Sequence, residues 1–265
     1  MRNIYVYRGY GSSDEAVDML FQTLNAFCPD HKVEFISPDA IRKGKWIKSA
    51  DLLAIGGGFD LGYIRALQND GIENIRKYVE QGGSYLGICA GAYFACRRIE
   101  FDKGGTLEVC GSRQLQFFPG VCIGPVFPGF TYNSEAGAHA AHISTHFNKK
   151  ITQHELASFD GDVSAFMYFN GGGYFVADDD AADKDVSIIA RYANSPDGCQ
   201  HPSVVKCQVG NGTAVLSSVH FEYIVEKMNK QDLYLKDVIP KLLTTVGTRN
   251  KFVKRVLMIL KLSKL

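Results

Sequence analysis

Ser84-Tyr85-Leu86-Gly87-Ile88-Cys89-Ala90-Gly91 carries the architecture of this chain. Its first five residues hold no charge and three large apolar side chains, the pattern of a short strand buried on both faces. The strand stops at a cysteine between Gly87 and Gly91, and a helical run over 90–96 follows. A side chain at a sharp strand-to-helix turn sits on strained backbone and needs small neighbours, which the two glycines provide. Unpaired amides at the start of the helix lie near the sulfur and favour the thiolate. Cys89 is therefore a candidate nucleophile. A buried cysteine at a tight turn fits the same five residues, because so short a pattern recurs by chance.

Upstream, Asn3-Ile4-Tyr5-Val6-Tyr7 reads as a first strand with no charged-then-apolar leader before it. Ser12 with Glu15 forms a capping box ahead of helical spacing at Val17, Leu20, Phe21 and Leu24. Strands at 31–36 and 51–55 follow, the latter running into Gly56-Gly57-Gly58, and a helix over 69–81 is stopped by Gly82-Gly83. Alternating strands and helices with apolar strands indicate a parallel sheet wrapped by helices. Over 106–219 the pattern turns to strands and turns, including a tight hairpin at Val209-Gly210-Asn211-Gly212-Thr213. The strand at 213–217 leads to His220, and helices follow over 232–246 and in the tail. The expected fold is α/β, doubly wound and mainly parallel, with a strand-rich insertion. Residues 1–248 make one domain, and 249–265 a basic amphipathic helix or linker.

Composition excludes several classes of function. Hydrophobic residues are 46% and charged residues 22% of the 265, the balance of an ordinary globular chain rather than a disordered or fibrous one. The seven cysteines are odd in number, scattered and without a CxxC pair, so a reduced, cytoplasmic protein is expected rather than a disulfide framework or zinc ribbon. The net charge of +1 conceals six basic and no acidic residues over 249–265, which leaves −5 on residues 1–248. A mildly acidic body does not suit nucleic acid. No apolar run is long enough to span a bilayer. The tail places Phe252, Val256, Ile259 and Leu260 at helical spacing between its basic residues, which suits a packed or linker helix better than a membrane anchor.

A thiolate mechanism needs a base. His220 follows one predicted parallel strand and can face Cys89 at the end of its neighbour, with Glu222 placed to hold the far ring nitrogen. Gly56-Gly57-Gly58 follows a third strand, where bare amides can point at a tetrahedral oxyanion. Each piece has a plainer reading: a histidine near a strand end is often structural, and a glycine-rich turn also cradles phosphate, although no GxGxxG or P-loop spacing occurs. No metal or other cofactor is expected. His139, His142 and His146 lie in extended sequence, which sends the first two to opposite faces. Asp178, Asp179, Asp180, Asp183 and Asp185 lack the spacing of a calcium loop and read as a solvated one.

Gly87-Ile88-Cys89-Ala90-Gly91 with His220-Phe221-Glu222 resembles the class I glutamine amidotransferases. A longer set of motifs resembles the amino-terminal domain of eukaryotic biotin–protein ligases: Glu108-Val109-Cys110-Gly111-Ser112-Arg113, Phe117-Phe118-Pro119-Gly120, the run from Gly129 to Ala138, and Tyr168-Phe169-Asn170-Gly171-Gly172. That similarity extends from the first strand to about Leu257. It implies a flavodoxin-like sheet, Cys89 at the nucleophile position with His220 and Glu222 as relay, and Gly57, Gly58 and Ala90 at an oxyanion hole. It also implies that Tyr132, Asn133, Glu135 and Asn170 line the pocket. Two departures stand out: Phe221 replaces the proline of the usual His-Pro-Glu, and Gly56 replaces a proline before the Gly-Gly turn.

The resemblance links the chain to protein biotinylation, with a biotin ligase or a biotin-dependent carboxylase as partner and a small amide or amino-acid-like compound as substrate. Biotinyl-adenylate formation is not expected, since the Gly-Arg-Gly-Arg-type loop it uses is absent from this sequence. Two functions fit: a Cys-dependent amide hydrolase or transferase, and a catalytically silent regulatory or partner-binding module. Selective reaction of Cys89 with an amide-like electrophile separates them.

Overall fold

The computed structural model describes residues 3–145, 163–179 and 185–262. Strands β1 (Asn3–Tyr7), β2 (Lys32–Ile36), β3 (Ala50–Ile55) and β4 (Ser84–Ile88) alternate with helices α1 (Asp14–Phe27), α2 (Pro38–Lys43) and α3 (Asp60–Glu80). A short α4 (Ala90–Phe94) then opens a run of strands: β5 (Cys96–Phe101), β6 (Val109–Ser112), β7 (Phe118–Gly124), β8 (His139–Thr145), β9 (Ser164–Phe169), β10 (Tyr174–Ala177), β11 (Val186–Tyr192), β12 (Pro202–Val209) and β13 (Gly212–Ser217). Helices Val238–Leu243 and Val246–Ile259 follow.

Nine strands form one sheet in the order β2-β1-β3-β4-β13-β12-β11-β8-β9. From β2 to β13 every pairing is parallel, and from β13 to β9 every pairing is antiparallel. The fold is thus mixed α/β, and mainly parallel pairing describes only its first half. Parallel neighbours need crossover connections, which the helices make, whereas β12 and β13 are joined by two residues, too few for anything but an antiparallel turn. That turn is Gly210-Asn211, with Gly210 at φ 56°. A second sheet, β10-β7-β5-β6, is built wholly from the strand-rich region, which begins at Cys96, ten residues before the change in sequence pattern.

Alternation along each central strand sends side chains to two cores. Leu52, Ala54, Leu86, Ile88 and Val215 join α1 and the C-terminal helix, while Leu53, Ile55, Tyr85 and Leu216 pack with α3 on the other face. The basic tail belongs to the first core. Phe252, Val253, Val256 and Leu257 are buried there, and Arg249 and Arg255 are buried as well. Among the described residues, no helix is long and apolar enough to cross a membrane.

Three local expectations need correction. The cap of α1 is Ser13, whose Oγ accepts from the Ala16 amide at 3.5 Å, while Ser12 Oγ donates to the Gly9 carbonyl at 2.7 Å. Helix α3 starts at Asp60 and is kinked at Gln68 (φ 56°, ψ −174°), so the run over 69–81 is only its second arm. The first arm escapes sequence reading because its cap, Phe59, offers no side-chain acceptor. The helix after Cys89 ends at Phe94, since Cys96 is already the first residue of β5.

Candidate active site

Parallel pairing of β4 with β13 sets Ile88 opposite Ser217. The Cys89 amide extends that ladder by donating to the Ser217 carbonyl at 2.8 Å, and the chain then turns sharply at φ 50°, ψ −108°. So strained a conformation at a non-glycine residue persists only where its surroundings hold it. Gly91 does so: its amide donates to the Gly56 carbonyl at 3.1 Å, and a Cβ there would lie 2.0 Å from the Ile55 carbonyl oxygen. Because α4 has only five residues, few peptide dipoles align behind the sulfur. The stronger electrostatic influence comes from the histidine.

His220 lies three residues beyond β13, fixed by its amide's bond to the Tyr168 carbonyl at 2.8 Å. Its Nδ1 is 2.7 Å from Glu222 Oε1, and both side chains are buried, Glu222 completely. Cys89 lies on the same cavity and raises the imidazole pKa. Burial alone pulls the imidazole pKa down. The charge of Glu222, the Cys89 sulfur and the hydrogen bond that the Glu222 carboxylate accepts from the ring outweigh it and push the pKa up to about 10. His220 is therefore an imidazolium at neutral pH, with Nδ1–H on the carboxylate and the far side of the ring toward sulfur. Glu222 is held in turn by Thr23, whose hydroxyl donates to its backbone carbonyl at 2.7 Å. Arg249, the first residue of the expected basic amphipathic helix or linker, reaches the carbonyls of Phe221 and Tyr223 on either side of Glu222.

Gly57 and Gly58 close over the other side. A Cβ on Gly57 would meet His220 Cε1 at 2.8 Å, so the imidazole lies directly against that backbone. Gly58 takes φ 148°, where a Cβ would fall 1.9 Å from the Gly11 carbonyl oxygen. A bridge of two bonds, Ser13 amide to Gly57 carbonyl (3.0 Å) and Phe59 amide to Gly11 carbonyl (2.8 Å), pins this turn. Among the described residues, the amides of Gly58 and Ala90 donate to no backbone carbonyl. Both residues line the same cavity as Cys89 and His220.

That cavity has a volume of about 480 Å³ and also takes in Tyr132, Asn133, Glu135 and Asn170. Asn170 presents its carbonyl 3.7 Å from Cys89 Sγ and donates through Nδ2 to the Ser134 carbonyl at 3.0 Å, while its Oδ1 is buried without a partner. Glu135 accepts from the Tyr168 hydroxyl at 2.5 Å, and Tyr168 stacks on Tyr223 at 4.3 Å. Glu222 does not line the cavity but stands behind His220. Sequence reasoning missed Glu15, Asp60, Tyr168 and Tyr223, all of which line it. Glu15 was read as half of a capping box, and Asp60, two residues past Gly58, was the one signal available. Asp60 pairs with the buried Arg113 guanidinium from the end of β6.

Among the described residues, the weaker metal candidates do not converge. His142 bonds Ser164 at 2.7 Å and His139 packs on Phe127, while His146 lies outside the described residues. Asp178 holds Arg97 and Arg98 at 2.8 and 2.7 Å, which makes it an ion-pair anchor rather than part of a solvated loop. Asp180 and Asp183 lie outside the described residues. Elsewhere, ligand atoms of Asp197, Cys199 and His201 come within 4.8 Å of one another on a loop that does not line the cavity.

A cysteine at a strained strand end, a buried imidazole–carboxylate pair and free amides beside an open cavity make this molecule a mixed α/β protein with a candidate site at the ends of its parallel strands. The chain belongs to the biotin–protein ligase N-terminal family, whose profile matches residues 2–264. It is 36% identical to the biotin–protein ligase of Schizosaccharomyces pombe over 226 residues, 84% of this chain but only 34% of that protein. It thus spans about a third of the length of that ligase. An uncharacterized protein of Chlamydia muridarum is 36% identical over 194 residues, 72% of this chain and 68% of its own. Among solved structures, SMU.1228c covers 98% of this chain and 100% of its own at TM-score 0.55 and 14% identity. The cytoplasmic protein STM1381 of Salmonella typhimurium LT2 covers 100% of both chains at 0.52 and 13%. At such identities these two likenesses concern the fold alone.

Proposed function

We propose that this chain is a thiol-dependent amide hydrolase or transferase of the class I glutamine amidotransferase type, its β2-β1-β3-β4-β13 half a flavodoxin-like sheet. The Cys89 thiolate adds to an amide carbonyl, forming a C–S bond while the π electrons move to oxygen. The amides of Gly58 and Ala90 receive that oxyanion. The His220 imidazolium gives its proton to the nitrogen, the C–N bond breaks, and ammonia or an amine leaves. Water or another acceptor then attacks the thioester, His220 takes the acceptor's proton, and the acyl product departs with the Cys89 thiolate restored. Glu222 holds the ring and steadies its charge. The observation that carries this reading is the buried 2.7 Å His220–Glu222 pair beside a cysteine held at positive φ in an open cavity.

The kinship with the S. pombe ligase supports a role in cytoplasmic protein biotinylation, alongside a biotin ligase or biotin-dependent carboxylase. Without the Gly-Arg-Gly-Arg-type loop the chain forms no biotinyl-adenylate itself. Residues 1–248 are the amidotransferase-like unit and 249–265 a basic helix or linker, whose Arg249, in the helix Val246–Ile259, supports that unit. The test uses 2-chloroacetamide, a neutral amide-like electrophile, with each cysteine followed by peptide mass spectrometry. Although Cys89 is only 8% exposed, it should alkylate about tenfold faster than the exposed Cys110 and Cys199. Reaction at Cys89 no faster than at those two overturns the reading in favour of a silent partner-binding module.

A further inference from the structure

Charge is distributed unevenly around the cavity. Glu15, Asp60, Glu135 and Asp232 line it, and among the described residues no lysine or arginine does. Asp60 is neutralised by Arg113 behind it. Among the described residues, no lysine or arginine pairs with the other three. Glu135 takes its hydrogen bond from a neutral group, the Tyr168 hydroxyl, and Asp232 takes one from the Tyr234 amide at 2.9 Å. Glu15 and Glu135 sense each other: partial burial, and then the charge of Glu135, hold the Glu15 carboxyl above its ordinary range, with His220 opposing them. Part of the remaining wall is aromatic, with Phe130 edge-to-face against both Phe101 (5.4 Å) and Tyr132 (4.9 Å). Carboxylates of one sign in a cleft with apolar walls raise the local concentration of cations and repel anions, and aromatic faces act in the same direction.

We propose that the amide taken by the Cys89 site carries a primary ammonium group, seated against Glu15 and Glu135, and no carboxylate. An α-amino-acid amide is the simplest member of that class. A cation there relieves the repulsion between the two glutamates. A glutamine-like zwitterion would bring a carboxylate into a lining where, among the described residues, the one cationic group is His220, already paired with Glu222.

This substrate class rests on the thiol reading above, and one experiment separates the two. Three methanethiosulfonates, 2-aminoethyl (cationic), ethyl (neutral) and 2-sulfonatoethyl (anionic), each transfer their S-alkyl group to a thiolate with loss of methanesulfinate. Rates at each cysteine of the full chain are read by mass spectrometry. The cationic-to-anionic rate ratio at Cys89 should exceed that at the exposed Cys110 by about tenfold. In a Glu15→Gln, Glu135→Gln double variant it should fall back toward the Cys110 value. A ratio at Cys89 equal to that at Cys110, or unaltered in the double variant, overturns the charge assignment while leaving the thiol reading in place. A Cys89 inert to the neutral reagent as well removes the thiol reading and this inference with it.

Discussion

In the parallel half of the nine-stranded sheet, each reactive group follows a strand end: Gly57 and Gly58 after β3, Cys89 after β4, His220 after β13. Their positions are fixed by backbone hydrogen bonds, such as Cys89 amide to Ser217 carbonyl. The cavity's far wall is made differently. Tyr132 and Glu135 come from the segment before β8, Tyr168 and Asn170 from β9 and the residue after it, and they are held by side chains: Tyr168 on Tyr223, Glu135 on Tyr168, Asn170 on Ser134. The proposed chemistry thus rests on strand ends, while the carboxylates proposed to choose the substrate are split between Glu15 on α1 and Glu135 on that wall.

Three perturbations sharpen that contrast, in descending order of effect. The largest acts on the buried ion pair of Asp60 (α3) with Arg113 (end of β6), which pins the parallel half to the second sheet. Asp60→Asn leaves a buried guanidinium without its counter-charge and should cost about 3–5 kcal/mol in denaturant unfolding. A loss under about 1 kcal/mol would show that the halves are joined elsewhere. The second acts within the parallel half. In the folded chain the His220 pKa is about 10, against an ordinary 6.5, so between those values the native state holds a proton that the unfolded chain has released. Its contribution to stability is complete below pH 6.5 and is lost as pH rises toward 10. Melting temperature should therefore decline over that window more steeply in the wild type than in His220→Asn, and parallel curves would contradict the raised pKa. The smallest belongs to the wall. Tyr168→Phe removes the part-buried hydroxyl that donates to Glu135 and should cost about 1 kcal/mol with little change in Cys89 alkylation.

How much of this was legible in sequence follows the same division. Strand boundaries in the parallel half, the elbow at Cys89 and the placement of His220 all express local rules: apolar runs, glycines where backbones meet, residues just past strand ends. Local rules misled where two serines competed for one cap, since only the bridge of Ser12 to Gly58, remote in sequence, assigns the role to Ser13. They also failed at Arg249, whose burial depends on carbonyls more than twenty residues away. The wall residues Tyr132, Asn133, Glu135 and Asn170 were reachable only through family resemblance. No spacing rule brings the loop before β8 together with the end of β9, and Tyr168 and Glu15 carried no such label.

The central claim is that Cys89, His220 and Glu222 act as one unit. Rate constants for Cys89 with 2-chloroacetamide in the wild type, His220→Asn, Glu222→Gln and the double variant test it most directly. If Glu222 works only through His220, both single variants are slowed and the double is no slower than His220→Asn alone, to within about twofold. Losses that multiply in the double variant would mean that the two residues act independently, and would contradict the relay.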